Sequence, residues 1–186
     1  MYSISLFLHI VGALGLFASL AFEQAGLVNL RRASTNAQAR EWLSLFRALR
    51  RIQGPSALVL LVTGLYMMKT SWSHAVWAGL GLVGMVLIAI IGAAVTGRRM
   101  KTIGQTLPAG DGVLSAAFRD RLDDSALRMS ASVRLALALG IVFNMSVKPM
   151  AGGAVAALLV ATALGVVATR VSPRVLRPMR RAATQE

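Results

Sequence analysis

The chain has 186 residues, 56% of them hydrophobic and only 15% charged, with no Cys and a formal net charge of +13. A soluble domain carries ~25% charge, and the apolar residues here come in long blocks, which points to an α-helical membrane protein and excludes short alternating barrel strands. The missing Cys excludes disulfides and thiolate-held zinc or iron–sulfur clusters, and the basic excess flanks apolar spans, so it reads as topology and contact with anionic lipid, not as nucleic-acid binding.

The first span is expected over residues 4–28, a run with no Lys or Arg that is long enough to cross a ~30 Å hydrocarbon core. It lacks a basic n-region, so it reads as a retained helix and not a cleaved signal. Two residues interrupt it, His9 near its start and Glu23 near its end. On an ideal helix they lie within ~40° of one face and ~21 Å apart along the axis. Gly12 and Ser19 share that face.

Next comes NAQAREWLSLFRALRRIQ, in which Trp42, Leu45, Phe46, Leu49 and Ile52 recur at helical spacing among Arg40, Arg47, Arg50 and Arg51. This predicts a basic amphipathic surface helix ending at Gly54-Pro55. The second span is expected over 55–70 and the third over 76–96, with Trp72 and Trp77 as interfacial anchors between them. Residues 102–112 read as a loop. Residues 113–129 read as a second surface helix, with Leu114, Phe118 and Leu122 on one face and an Asp124–Arg128 pair on it. The fourth and fifth spans are expected over 132–148 and 151–169, followed by a basic tail over 171–186.

The predicted fold class is therefore all-α: a polytopic membrane bundle of five transmembrane helices plus two amphipathic surface helices on the cytoplasmic side. The connectors after spans 1, 3 and 5 hold almost all the Lys and Arg, while those after spans 2 and 4 hold only Lys69 and Lys148. Positive residues stay on the cytoplasmic side. The expected location is a bacterial cytoplasmic membrane, N-terminus outside and C-terminus inside. Surface helix, span, turn and span occur twice, with Gly64 and Gly140 in matching places, a candidate parallel duplication.

Topology sorts the polar residues into two groups. At the outer end are His9, His74, Met67, Met68, Met145 and Met150. Imidazole and thioether ligands suit Cu(I) or haem iron, so His9, His74, Met67, Met68 and Met145 are the candidate metal ligands, with His9 the candidate cofactor ligand. At the inner end Glu23 and Arg134 lie at similar depth and are expected to pair. No phosphate-binding Gly loop, zinc-protease motif or hydrolytic triad is present.

The strings LHIVGALGLFASLAFEQAGL, LLVTGLYMM and GIVFNMSVKPM resemble small bacterial integral membrane proteins related to the copper-resistance protein D domain. HemJ-type protoporphyrinogen oxidases are similar in carrying a His early in the first span. The resemblance implies a compact cytoplasmic-membrane bundle handling copper or haem, with His9 at the position of the haem-ligating His. The chain departs from the HemJ-type pattern in having Leu14 and Gly15 where a Trp is expected.

Three functional readings follow. The first is a non-enzymatic binding or accessory component with membrane lipids, a second copy or other membrane proteins as partners. The second is an outer-side copper or haem binding protein using His9. The third is a small proton-coupled transporter using Glu23 and Arg134.

Overall fold

A computed structural model describes residues 1–72 and 75–182. The elements are α1 (Tyr2–Arg32), α2 (Asn36–Ser71), α3 (Val76–Ile91), a π-helical segment (Gly92–Gly97), α4 (Arg98–Gln105), α5 (Ala116–Leu122), α6 (Ser125–Val147) and α7 (Ala151–Ala182). Four helical runs are long and apolar enough to cross a membrane: Tyr2–Arg32, Val76–Gln105, Ala117–Val147 and Ala151–Arg170. Their outward faces carry large apolar side chains such as Phe7, Leu14, Ile90 and Leu159, all exposed. That arrangement suits lipid and not water.

The chain reverses between α1 and α2 at a cap that the sequence encodes. The Thr35 hydroxyl accepts a bond from the Gln38 N–H at 3.3 Å, and Gln38 Oε1 accepts from the Ser34 N–H at 2.9 Å. Thr three residues ahead of Gln is a capping-box pattern. α2 then runs antiparallel beside α1 along its full length. Gly26 lies against the Phe46 ring, Gly12 against Ser56 and Leu60, and Gly64 against the His9 ring. At the far end Tyr2 meets Trp72 edge-on, with ring centroids 6.2 Å apart.

This pairing corrects the expected first surface helix. It is not a separate element ending at Gly54-Pro55; it is the first half of α2, which continues through Pro55. Pro removes one amide donor from the helix ladder, but both halves pack on α1, and that burial holds the axis together. Phe46 and Leu49 are buried as the stripe predicts, joined by Ala39 and Leu43, whereas Ile52 is exposed.

The second surface helix is also different from expectation. Helix continues from α3 through the π turn to Gln105, so the loop begins only after that residue. The run over 113–129 breaks at Asp123-Asp124 into the short α5 and the start of α6. Asp124 Oδ1 accepts from the Ala126 N–H at 2.9 Å and caps α6. Its carboxylate pairs with Arg99 on α4, not with Arg128. A side chain bound at a helix N-terminus gains from the exposed amides and the dipole there.

α6 joins the two halves of the bundle. Gly84 of α3 lies under Ile141, and Gly165 of α7 lies against the Val133 backbone. Small residues of this kind let helices approach closely where lipid gives no hydrophobic drive. Gly64 and Gly140 do not play matching roles, since Gly140 faces Ala161 on α7 while Gly64 faces α1. The helical backbone of α7 extends beyond the expected fifth span through Ala182. Residues 183–186 of the expected tail lie outside the described residues.

Two apolar cores result. One lies between α1, α2, α3 and α6 and contains Leu16, Leu20, Leu60, Ile88 and Leu137. The other sits at the Arg31 end and joins Leu30, Leu43, Phe46, Ile103, Phe118 and Leu127. An isolated bridge between Thr35 and Val113 ties the loop after α4 to the turn after α1. Arg40 secures the same loop, its Nη1 donating to the Ala109 carbonyl at 2.8 Å and its Nη2 pairing with Asp111.

Candidate functional site

The side chain that sets up the site is His9. α1 places it opposite Gly64 of α2, where a Cβ would stand 3.4 Å from the His9 Cε1. The missing side chain leaves room for the imidazole to lie on the α2 backbone. His9 Nδ1 then sits 2.9 Å from Thr63 Oγ1. The one hydroxyl proton of Thr63 is directed at the Val59 carbonyl, 2.6 Å away. Thr63 Oγ1 is therefore the acceptor, and His9 Nδ1 carries the proton. In a neutral imidazole that leaves Nε2 as a bare lone pair. A hydrogen bond from one ring nitrogen fixes the orientation and raises the basicity of the other, the arrangement found in metal-ligating His.

His9 lines a cavity of about 670 Å³ enclosed by α1, α2, α3 and α6. Cofactor and small-molecule sites span roughly 300–1,000 Å³. Three of the methionines singled out above, Met67, Met68 and Met145, line it together with His9, and Met85 joins them. Met145 reaches over Gly81 of α3, which has no side chain to block it. Met150 is 89% exposed and takes no part. His74 lies outside the described residues. Among the described residues, no cluster of three His, Asp or Glu could hold an ion. The donors gathered at the cavity are one imidazole nitrogen and several thioethers, a set that favours soft or borderline metals over Mg²⁺ or Ca²⁺.

Tyr2, Trp72 and Lys148 line one part of the cavity, and Trp77 packs behind Trp72. Trp72 and Trp77 lie 5.0 Å apart, Tyr2 packs edge-on against Trp72, and Lys148 Nζ stands 5.5 Å and 5.7 Å from the two indole centroids. Both distances are within cation–π range.

Glu23 and Arg134 meet elsewhere, at the junction of the two cores. They form an ion pair at which Arg134 is 1% and Glu23 6% exposed. Arg134 also donates to Thr96 Oγ1 at 2.9 Å and to the Ser130 carbonyl at 3.3 Å. Its guanidinium rests in the notch left by Gly92, the first residue of the π segment. Beside the pair, Gln24 Nε2 donates to Ser132 Oγ at 3.2 Å. Neither Glu23 nor Arg134 lines the cavity, so the two constellations are separate.

Thr63, Tyr2, Met85 and Lys148 are the members that sequence reasoning missed as site residues. Thr63 gave no signal, because the contact spans 54 positions between two helices. Lys148 counted only as a topology marker, although Lys148-Pro149 marks a chain break near the methionines.

Fold and site together define an all-helical bundle with membrane-length helices around a Met-lined cavity. No protein-family model matches the chain, and no curated protein or solved structure matches it either.

Proposed function

We propose that the chain is a five-span protein of the bacterial cytoplasmic membrane that acts as a non-enzymatic binding component, its cavity at His9 holding haem or Cu(I). The observation that carries this reading is the hydrogen-bonded series from His9 through Thr63 to Val59. It leaves the second ring nitrogen of His9, a residue that lines the apolar, methionine-containing cavity, with a free lone pair in the neutral imidazole. Haem or Cu(I) would be held by His9, with Met67, Met68 and Met145 as the available sulfur donors. The resemblance to proteins related to the copper-resistance protein D domain agrees with it.

Five spans are favoured because the second half of α2 keeps pace with α1 at every level from Ser56 to Trp72. Its outward face is apolar, with Leu58 61%, Val62 57% and Leu65 47% exposed. The first half of α2 and α5 then form the cytoplasmic cap, where exposed Arg47, Arg50 and Arg51 suit anionic headgroups. The distribution of Lys and Arg sets the N-terminus outside.

The test is metal analysis and an absorption spectrum of the purified protein, before and after titration with haem and with Cu(I). Saturable uptake that His9→Ala abolishes is expected. A colourless, metal-free preparation that takes up neither would overturn the binding reading.

A further inference from the structure

Among the described residues that line the cavity beside His9, one side chain carries a full charge, and that is Lys148. Its position is set by backbone geometry. Lys148 has φ 51°, and its N–H closes α6 on the Asn144 carbonyl at 3.0 Å. Left-handed backbone is unfavourable for a residue with a Cβ, and Gly or Asn would relieve it. The chain nevertheless carries Lys there, with its ammonium held over Trp72 and Trp77. The ring faces attract a cation but do not neutralise it. Lys148 pairs with no carboxylate among the described residues, and no acidic side chain is among those lining the cavity. The side chain is exposed, and among the described residues no hydrogen bond engages its ammonium, so its N–H donors can meet an acceptor from a ligand.

We propose that the cavity takes an amphipathic anion, its apolar body enclosed between the helices and its carboxylate or phosphate bound by Lys148. This rests on the cavity being a ligand site and names the chemical class of the ligand. Haem, with its propionates, belongs to that class, and so does a fatty acid or an anionic phospholipid.

The test is fluorescence titration of the protein in phosphatidylcholine nanodiscs, in a Trp42→Phe background so that Trp72 and Trp77 report. The probes are haem, haem dimethyl ester, oleic acid and oleyl alcohol. Each acid should bind about tenfold or more tightly than its neutral counterpart, as a charge-assisted hydrogen bond would give. The preference should vanish in Lys148→Met and persist in Lys148→Arg. Equal binding of acid and neutral form, a preference that survives Lys148→Met, or no saturable binding of either acid would overturn the proposal.

Failure of the haem reading leaves a different result. Lys148-dependent binding of oleate without uptake of haem supports the amphipathic anion and removes haem. Equal binding of haem and its diester keeps haem and overturns the role of Lys148. Repeating the oleate titration in discs containing phosphatidylglycerol separates the sources. Weakened oleate binding there assigns the anion to a lipid phosphate, and unchanged binding assigns it to a free acid.

Discussion

Arg134 on α6 reaches the Glu23 carboxylate on α1 at the level where the two apolar cores meet, and both side chains are buried. The guanidinium has two further acceptors, Thr96 Oγ1 and the Ser130 carbonyl. Removing one member of such a pair leaves the other charge without compensation and costs about 3–5 kcal/mol. Arg134→Ala should therefore lower thermal stability in detergent sharply. The double variant Glu23→Leu with Arg134→Met should recover most of the loss. If Arg134→Ala melts at the parent temperature, the pair contributes nothing to holding α1 on α6.

The Thr63 hydroxyl sets the tautomer of His9, so its removal should be felt at the ligand. Thr63→Val should weaken haem or Cu(I) uptake by about 10–100-fold, the usual effect of losing the partner behind a metal-ligating His. Thr63→Ser keeps the hydroxyl and should bind within a few-fold of the parent. Titration followed by absorbance separates the two variants.

Gly165 and Gly79 offer a contrast in packing. A Cβ at Gly165 would stand 2.8 Å from the Val133 Cα, whereas at Gly79 it would meet nothing within 4 Å. Backbone cannot move aside as a side chain can. Gly165→Ala should cost about 1–3 kcal/mol. Gly79→Ala should be neutral or stabilising by up to about 1 kcal/mol, because Gly is a poor helix former. Comparison of melting temperatures of the purified variants decides this.

At the N-terminus of α6, Asp124 serves both as cap and as partner of the half-exposed Arg99. Exposed ion pairs contribute little, so the cap should dominate. Asp124→Asn, which can still cap, should change stability by less than about 0.5 kcal/mol, while Asp124→Ala should lose about 1 kcal/mol. Equal losses in the two would mean that the charge matters more than the cap.

A chain without Cys is suited to topology mapping. With five spans, Ser71→Cys should react with an impermeant thiol reagent from outside intact cells, and Thr102→Cys only after the membrane is opened. The reverse result, Thr102→Cys reacting from outside and Ser71→Cys only after the membrane is opened, would place α2 on the surface instead of across the bilayer.

Much of the architecture was legible because lipid demands long apolar helices, and those blocks are plain in the sequence. The boundaries were not. Gly54-Pro55 looks like a stop, and locally it is one, but the face that α2 shares with α1 overrides it over a long antiparallel contact. Asp123-Asp124 contains a cap signal that the i, i+4 spacing of Asp124 and Arg128 masks, because the same carboxylate suits either role. At the site, the ionisable residues stood out because polar side chains are rare within the apolar blocks. Thr63 did not stand out, since a hydroxyl in an apolar helix ordinarily bonds its own backbone, and this one does so as well as serving His9.

The π-helical turn over Gly92–Gly97 has a consequence for angular phase. In an unbroken α-helix each residue advances by about 100°, so Met100 would point about 120° away from Ile88, and Ile103 about 60° away. A π turn absorbs one extra residue, which takes about 100° out of the count. Met100 and Ile103 then return to within about 40° of the Ile88 direction, and all three are buried. A single helical run can thus serve both the core between α1, α2, α3 and α6 and the core at the Arg31 end without twisting its contact face into lipid. Deleting one residue from Gly92–Gly97 would close the turn to regular α-helix and leave the direction of everything beyond it unchanged, including the Arg99 that pairs with Asp124, so the extra residue can be lost without detaching either core.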